Sequence, residues 1–296
     1  MSQKIYDLIT DRIIALLEQG VIPWRKPWKP GDAAPRNLLS GKLYRGINAM
    51  LLSSLGFASP WFATFRQIKA LGGSVQRGAH GFPVVFWKFF GAAVGTGEED
   101  EQTPGRARVP LLRYYTVFNL EQAEGIPAHK IPRPAEVPAG FSPIAEAEKI
   151  VAGMPQRPEI LHQAGDRACY RPAADTVTLP NRELFASPEE YYSTLFHELV
   201  HSTGAPHRLA RKSLAGWAPF GSADYSREEL VAEMGAGFLC AHAGVANATL
   251  ENSAAYIQSW LQVLKDDRRA VIVAAGQAQK AADFILGGSE EDEPAP

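Results

Sequence analysis

Apolar residues recur every three to four positions through the opening of the chain. Ile5, Leu8, Ile9, Ile13, Leu16 and Leu17 alternate with acids and bases. That spacing predicts an amphipathic helix over about 3–19, stopped by Gly20. Shorter helices are expected over 46–55 and 61–71. Two runs rich in aromatic and β-branched residues, PVVFWKFF (83–90) and VPLLRYYTVFNL (109–120), predict paired strands. A loop over 92–108 is expected to join them. The second half opens with a helix near 142–153, followed by short strand candidates at 159–162, 168–171 and 176–179. Three helical regions follow. The first begins at Ser187-Pro188-Glu189-Glu190, a capping box with proline in the first turn, and stops near Gly204. The second spans about 226–243. The third, from 250 to 286, is Ala-rich.

The pattern reads as α+β in two domains. Five prolines fall within 126–143, where they interrupt helix and strand alike. The expected organisation is therefore a first domain over 1–125, a linker over 126–143, a second domain over 144–286 and an acidic, disordered tail over 287–296.

Charge divides the chain more sharply than composition does. Residues 1–140 hold 17 Lys and Arg against 11 Asp and Glu, whereas residues 141–296 hold 13 against 21. A basic half joined to an acidic half points to a polyanion partner for the first half only. No apolar run is long enough for a membrane span. The first twenty residues lack the form of a signal peptide. Two cysteines, Cys169 and Cys240, do not make a disulfide framework. The expectation is a cytoplasmic protein.

The sharpest chemistry is His197-Glu198-Leu199-Val200-His201. Residues i and i+4 share one helix face, so two imidazoles can grip one divalent ion. Glu198, one step from His197, sits beside that ion and can take a proton from a water there as general base. Seven histidines in this length would give such a pair by chance roughly one time in six, and requiring the Glu cuts that about tenfold. Imidazole and carboxylate suit Zn2+, with Mn2+ or Ni2+ as substitutes.

Two residues compete as third ligand. HELVHSTGAPH matches H-E-x-x-H-x-x-G-x-x-H, which would bring in His207. Glu229, on the next helix with Glu233 one turn later, offers a carboxylate ligand backed by a second carboxylate for a histidine N–H. Leu230, Val231, Met234 and Phe238 bury much of that helix, so its acids need a reason, and Glu229 is preferred. Tyr225, one turn before Glu229, is a candidate oxyanion donor or a packing residue. The TVTLP stretch at 176–180 is a candidate edge strand for an extended peptide substrate.

The first half interleaves bases with aromatics. Trp24, Arg25, Lys26, Trp28, Lys29, Arg36, Lys42, Tyr44 and Arg45 are candidate contacts to single-stranded DNA. Cations can follow its phosphates and rings can stack on its unpaired bases. Trp61 and Trp87, within apolar runs, read as core.

PWRKPW, YRGINAMLL and WFATFRQIKALGGSVQRGAHG ahead of VVFWKF resemble the N-terminal domain of ArdC-type antirestriction proteins, a domain shared with TraC-type plasmid primases. HELVHSTG and YSREELVAE resemble a zincin-like metallopeptidase domain. The resemblance runs from about residue 3 to 285. It implies non-specific single-stranded DNA binding and protection of incoming conjugative plasmid DNA from host restriction. It also implies a peptidase centre on His197, Glu198 and His201, with the downstream Glu ligand falling on Glu229. His207 is a departure that keeps the third ligand open. A different class of function is a regulatory metalloprotease acting on a host protein, the restriction machinery or another, with DNA serving only to localise it. A third is a binding protein with a structural metal.

Overall fold

The computed structural model describes residues 2–25, 34–90, 109–132, 140–211, 222–246 and 253–288. Helix α1 (Ser2–Glu18) buries Ile5, Ile9, Ile13 and Leu17, and Gly20 ends it with a positive φ of 76°. Leu8 falls off that face and is exposed. Strand β1 (Arg36–Asn37) and helix α2 (Gly46–Ser53) follow.

The helix expected over 61–71 is corrected at its start. Trp61–Thr64 form strand β2, and helix α3 occupies only Phe65–Ala70. Thr64 makes the change of direction. It is extended, its hydroxyl accepts from Gln67 N, and the Gln67 side chain accepts from Thr64 N. This reciprocal cap starts a helix immediately after a strand. The apolar run WFATF has no period that separates the two states.

Strands β3 (Ser74–Val75), β4 (Phe82–Phe90), β5 (Val109–Asn119) and β6 (Ala123–Glu124) complete the first half. The main sheet runs β1-β2-β5-β4, and β3 pairs with β6 separately. β4 and β5 pair antiparallel from Phe82↔Val117 to Phe90↔Val109, as the two apolar runs predict. The expected loop at 92–108 lies outside the described residues. The first part of the Pro-rich stretch is docked. Ile126 packs on the cluster around Leu38, Ile68 and Leu71, and Lys130 Nζ donates to Leu71 O at 3.1 Å. Residues 133–139 of that stretch, and 289–296 of the expected tail, lie outside the described residues.

The second half begins with α4 (Pro143–Gly153), capped by Ser142 Oγ. β7 (Glu159–Gln163), β8 (Cys169–Arg171) and β9 (Thr176–Pro180) form a sheet in the order β7-β9-β8. This corrects the edge-strand expectation for TVTLP. β9 is central, parallel to β7 and antiparallel to β8, and all five of its residues are buried. Helices α5 (Pro188–Ser202), α6 (Ala223–Ala243), α7 (Ser253–Asp266) and α8 (Ala270–Ile285) complete the fold. Among the described residues no helix is long and apolar enough to cross a membrane.

One buried cluster runs through both halves. Ile9, Ile13, Trp24 and Met50 belong with Phe196, Leu230, Trp260 and Val271. Thr10 Oγ1 donates to Arg268 O at 2.6 Å, Arg268 pairs with Asp11, and Gly46 N donates to Gln279 Oε1 at 3.0 Å. α1 and α2 are thus seated on α7 and α8.

α5 and α6 lie close together because Gly235 carries no side chain. A Cβ there would fall 2.7 and 2.9 Å from the two methyls of Val200. Gly235→Ala is expected to destabilise the protein by about 1–3 kcal/mol through overpacking. Val200→Ala in the same chain should recover part of that loss. Thermal unfolding of the single and double variants checks this, and an unchanged melting temperature in Gly235→Ala would refute it.

Candidate metal centre

The local sequence of α5 starts the site. Ser187 Oγ accepts from Glu190 N at 3.2 Å and Pro188 opens the first turn. The Glu190 side chain reaches one residue further than a capping box requires, accepting from Ala186 N at 2.7 Å. Leu195, Phe196, Leu199 and Val200 are buried, which fixes the rotation of the helix. His197 and His201 therefore emerge together, one turn apart. Their ring centroids lie 4.7 Å apart with planes at 78°, and their Nε2 atoms are 3.1 Å apart.

α6 brings the third member. Its N-cap is Ser222, whose Oγ accepts from Tyr225 N at 3.2 Å. Glu229 turns Oε2 to His197 Nε2 and Oε1 to His201 Nε2, each at 3.4 Å. His197, His201 and Glu229 offer donor atoms all within 4.8 Å of one another.

Each histidine is also met from behind. His201 Nδ1 donates to Glu228 Oε1 at 3.3 Å. Arg211 grips that carboxylate with Nη2 at 2.5 Å from Oε1 and Nε at 3.2 Å from Oε2. Arg211 itself is tied to Thr203 Oγ1 at 2.6 Å and Val200 O at 2.8 Å. His197 Nδ1 lies 3.7 Å from Glu233 Oε1, and Glu233 Oε2 receives Arg25 at 3.0 Å.

With each Nδ1 turned to a carboxylate, the two Nε2 atoms converge on Glu229. Two N–H groups cannot face each other at 3.1 Å, so at least one Nε2 presents a lone pair, and a cation held between the rings would let both do so. Four-coordinate zinc at about 2.05 Å from nitrogen sets two ligand nitrogens about 3.3 Å apart, and a nitrogen and a carboxylate oxygen about 3.4 Å apart. The 3.1 Å between the nitrogens is near that value, and Glu229 presents a different oxygen at 3.4 Å to each ring, so the three side chains are of the right kind and close enough to hold such an ion.

The electrostatics follow from burial opposed by close charges. Burial pushes the Glu228 carboxyl up, but the His201 N–H and Arg211 outweigh it and hold it at about 2. Glu229 is pulled further down by the two histidines, against the same burial. Burial lowers both histidines, yet Glu229 and its neighbours raise them above their ordinary value. A metal ion thus competes with protons at the rings.

Glu198 is buried, one residue past His197. Tyr225 is half-buried, with Tyr256 and Glu229 as its polar neighbours. Burial, then the Glu229 charge, pushes its pKa far up. Tyr256 stacks on Trp260 at 5.7 Å. Met234 is core.

His207 goes elsewhere. It is about half exposed and pairs with Asp175 Oδ2 at 3.4 Å. Asp175 is also held by Arg208, whose two nitrogens lie 2.8 Å from its oxygens. The turn after α5 sends His207 away from the other two rings, so the letter match to H-E-x-x-H-x-x-G-x-x-H is not realised in space.

Sequence reasoning missed Glu228, Arg211 and Tyr256. Glu228 had a signal, since it precedes Glu229 on a helix with buried apolar neighbours. Arg211 and Tyr256 had none, because nothing local ties them to the motif.

The nucleic-acid candidates divide. Three are corrected because they face inward. Trp24 is buried edge-on to Trp260 at 5.3 Å, Arg25 is held by Glu233, and Tyr44 packs among Phe62 and Phe86. Neighbouring prolines and bases do not say which way a ring points. Arg45 pairs with Asp283, and Arg36 donates to Gly41 O at 3.3 Å. Lys42 is exposed. Lys26, Trp28 and Lys29 lie outside the described residues. Trp61 is partly buried beside Leu38, and the Trp87 side chain lies outside the described residues. A different aromatic is open. Phe65 is 51% exposed on α3, with Lys69 Nζ 5.9 Å from its ring centre and Arg66 exposed beside it. Gln67 joins α3 to Asn37 at 3.2 Å, next to the turn that carries Lys42.

Comparison with known proteins matches two separate stretches of the chain. Residues 3–118 match the family described as the N-terminal domain of anti-restriction factor ArdC, and residues 145–277 match a zincin-like metallopeptidase family. A DNA primase TraC of Escherichia coli is 37% identical over 303 residues, taking in 97% of this chain and 27% of the primase. The chain therefore spans about a quarter of that relative's length. Protein y4eC of Sinorhizobium fredii (strain NBRC 101917 / NGR234) is 37% identical over 291 residues, with 95% of this chain and 91% of that protein covered. The crystal structure of the antirestriction protein ArdC from plasmid R388, metal-free, aligns at 38% identity and a TM-score of 0.72, covering 95% of this chain and 96% of that one. Its Mn(II)-bound form aligns at 37% and 0.73, covering 95% and 97%.

Proposed function

This chain belongs to the ArdC antirestriction family, and from that premise we propose that it is a cytoplasmic protein that protects incoming conjugative plasmid DNA from host restriction. Its first half binds single-stranded DNA without sequence preference. Its second half is a metallopeptidase whose ion is held by His197, His201 and Glu229. The observation that carries the peptidase reading is the convergence of two imidazole Nε2 atoms and one carboxylate beside the buried Glu198. Zinc is the expected ion. The Mn(II)-bound form of the R388 protein supports a divalent ion and a place for manganese as a substitute.

When bound, the ion supplies Lewis acidity and lowers the pKa of a coordinated water towards 7. Glu198 accepts the proton of the attacking water at its carboxylate and passes it to the leaving amine. Tyr225 stays protonated and donates to the substrate carbonyl oxygen as charge builds there. Glu228 and Glu233 hold the two rings in the orientation that keeps each Nε2 free for the ion.

For DNA, the exposed Phe65 with Arg66, Lys69 and Lys42 offers a ring to stack and cations to follow phosphates. Phe65→Ala is expected to weaken binding of a short single-stranded oligonucleotide roughly tenfold, within the about 1–3 kcal/mol of one stacked base. Replacing Lys42 and Lys69 by Glu should also flatten the salt dependence. Fluorescence anisotropy titrations measure both, and parental affinity and slope would rule out this face.

A second reading is a regulatory protease of a host protein, with DNA only as a tether. It is favoured by the inward packing of Trp24, Arg25 and Tyr44, which shrinks the surface open to DNA.

A further inference from the structure

Arg25 belongs to the first half of the chain by sequence, just past α1, yet its side chain ends against the metal centre of the second. Its Nη2 and Nε both lie 3.0 Å from Glu233 Oε2. Its side chain is 13% exposed and that of Glu233 is 6% exposed. The other Glu233 oxygen faces His197 Nδ1 at 3.7 Å. Trp24, packed on Trp260 of α7, and the bond from Arg25 N to Ile22 O at 3.0 Å hold the backbone that presents it. The other histidine has a parallel but closer arrangement, with Glu228 at 3.3 Å from His201 Nδ1 and backed by Arg211, built within the second half alone.

Charge gives the arrangement a purpose. Glu198, Glu228, Glu229 and Glu233 are four buried carboxylates around one small space. Buried charges persist only when answered. Arg211 and Arg25 answer two of them, and a divalent ion held by the site would answer the other two.

We propose that Arg25 is a positioning residue of the metal centre, fixing Glu233 and through it the His197 imidazole, so that the first half of the chain completes a site the second half presents. The inference rests on the reading of His197, His201 and Glu229 as ligands.

The test uses the full-length protein, with zinc affinity read by competition with a chromophoric chelator. The visible absorption bands of the cobalt-loaded protein report ligand geometry. Arg25→Ala is expected to weaken zinc binding about 10–100-fold and to shift the cobalt bands. Arg25→Lys, which keeps a cation on Glu233, should recover much of both. Should Arg25→Ala fail to fold, the pair Arg25→Met with Glu233→Gln removes both partners of this ion pair and leaves neither charge unanswered. It should fold and still bind zinc at least about tenfold more weakly. Parental affinity and spectrum in folded Arg25→Ala, or in that pair, would overturn the proposal alone. A parent chain that takes up no zinc would end the ligand reading and this inference with it.

Discussion

Alanine in place of Glu229 should lower zinc affinity by at least about a hundredfold, the upper end of what loss of a mere supporting residue costs. Alanine in place of His207 should leave it unchanged. The two residues were rivals for one role, and geometry now separates them. Glu229 stands 3.4 Å from both Nε2 atoms, whereas His207 stands 3.4 Å from Asp175 and about half in solvent. On the proposed reading, removing Glu229 takes away a ligand oxygen and the negative charge that would offset the ion. Removing His207 leaves Arg208 still paired with Asp175. Chelator competition on the two variants decides the matter. The reverse ranking would reinstate His207 and refute the site as drawn.

The second large effect is on turnover. Glu198→Gln keeps the shape of the side chain and removes the carboxylate proposed to take the proton. Peptide hydrolysis is expected to fall about 10²–10⁴-fold, the usual contribution of a positioned general base. Zinc content and single-strand affinity should stay at the parental level. Retention of hydrolysis in this variant would remove Glu198 from the chemistry. The same variant also sorts the two functional readings. If it protects DNA as the parent does, protection runs through binding, and proteolysis serves another end.

What was legible in the sequence is what local interactions decide. Ser187 and Pro188 mark the start of α5, the spacing of His197 and His201 puts two rings on one face, and the apolar neighbours set the rotation. Glu229 and Glu233 were legible as acids on a buried helix. The long pairing of β4 with β5 was legible from their composition.

Legibility ended where a residue's environment is made by distant chain. Trp24 and Tyr44 look like surface aromatics beside bases and prolines, but both are buried. Trp24 meets a tryptophan more than two hundred residues later. Strand β9 looks like an edge because nothing in TVTLP says that β7 lies on its other side. Residues 61–64 are apolar without a period, so strand and helix were degenerate until Thr64 capped α3. Arg211 reaches Glu228 from a turn whose sequence names no partner.

The seating of α1 on the final helices has a consequence for synthesis. The Thr10 bond to Arg268 spans 258 positions. At roughly 5–20 residues per second the ribosome takes on the order of tens of seconds to reach that partner. Through that interval the oily stripe of Ile5, Ile9 and Ile13 lacks the part of its docking surface that α7 and α8 supply, and has only the sheet of the first half to rest on.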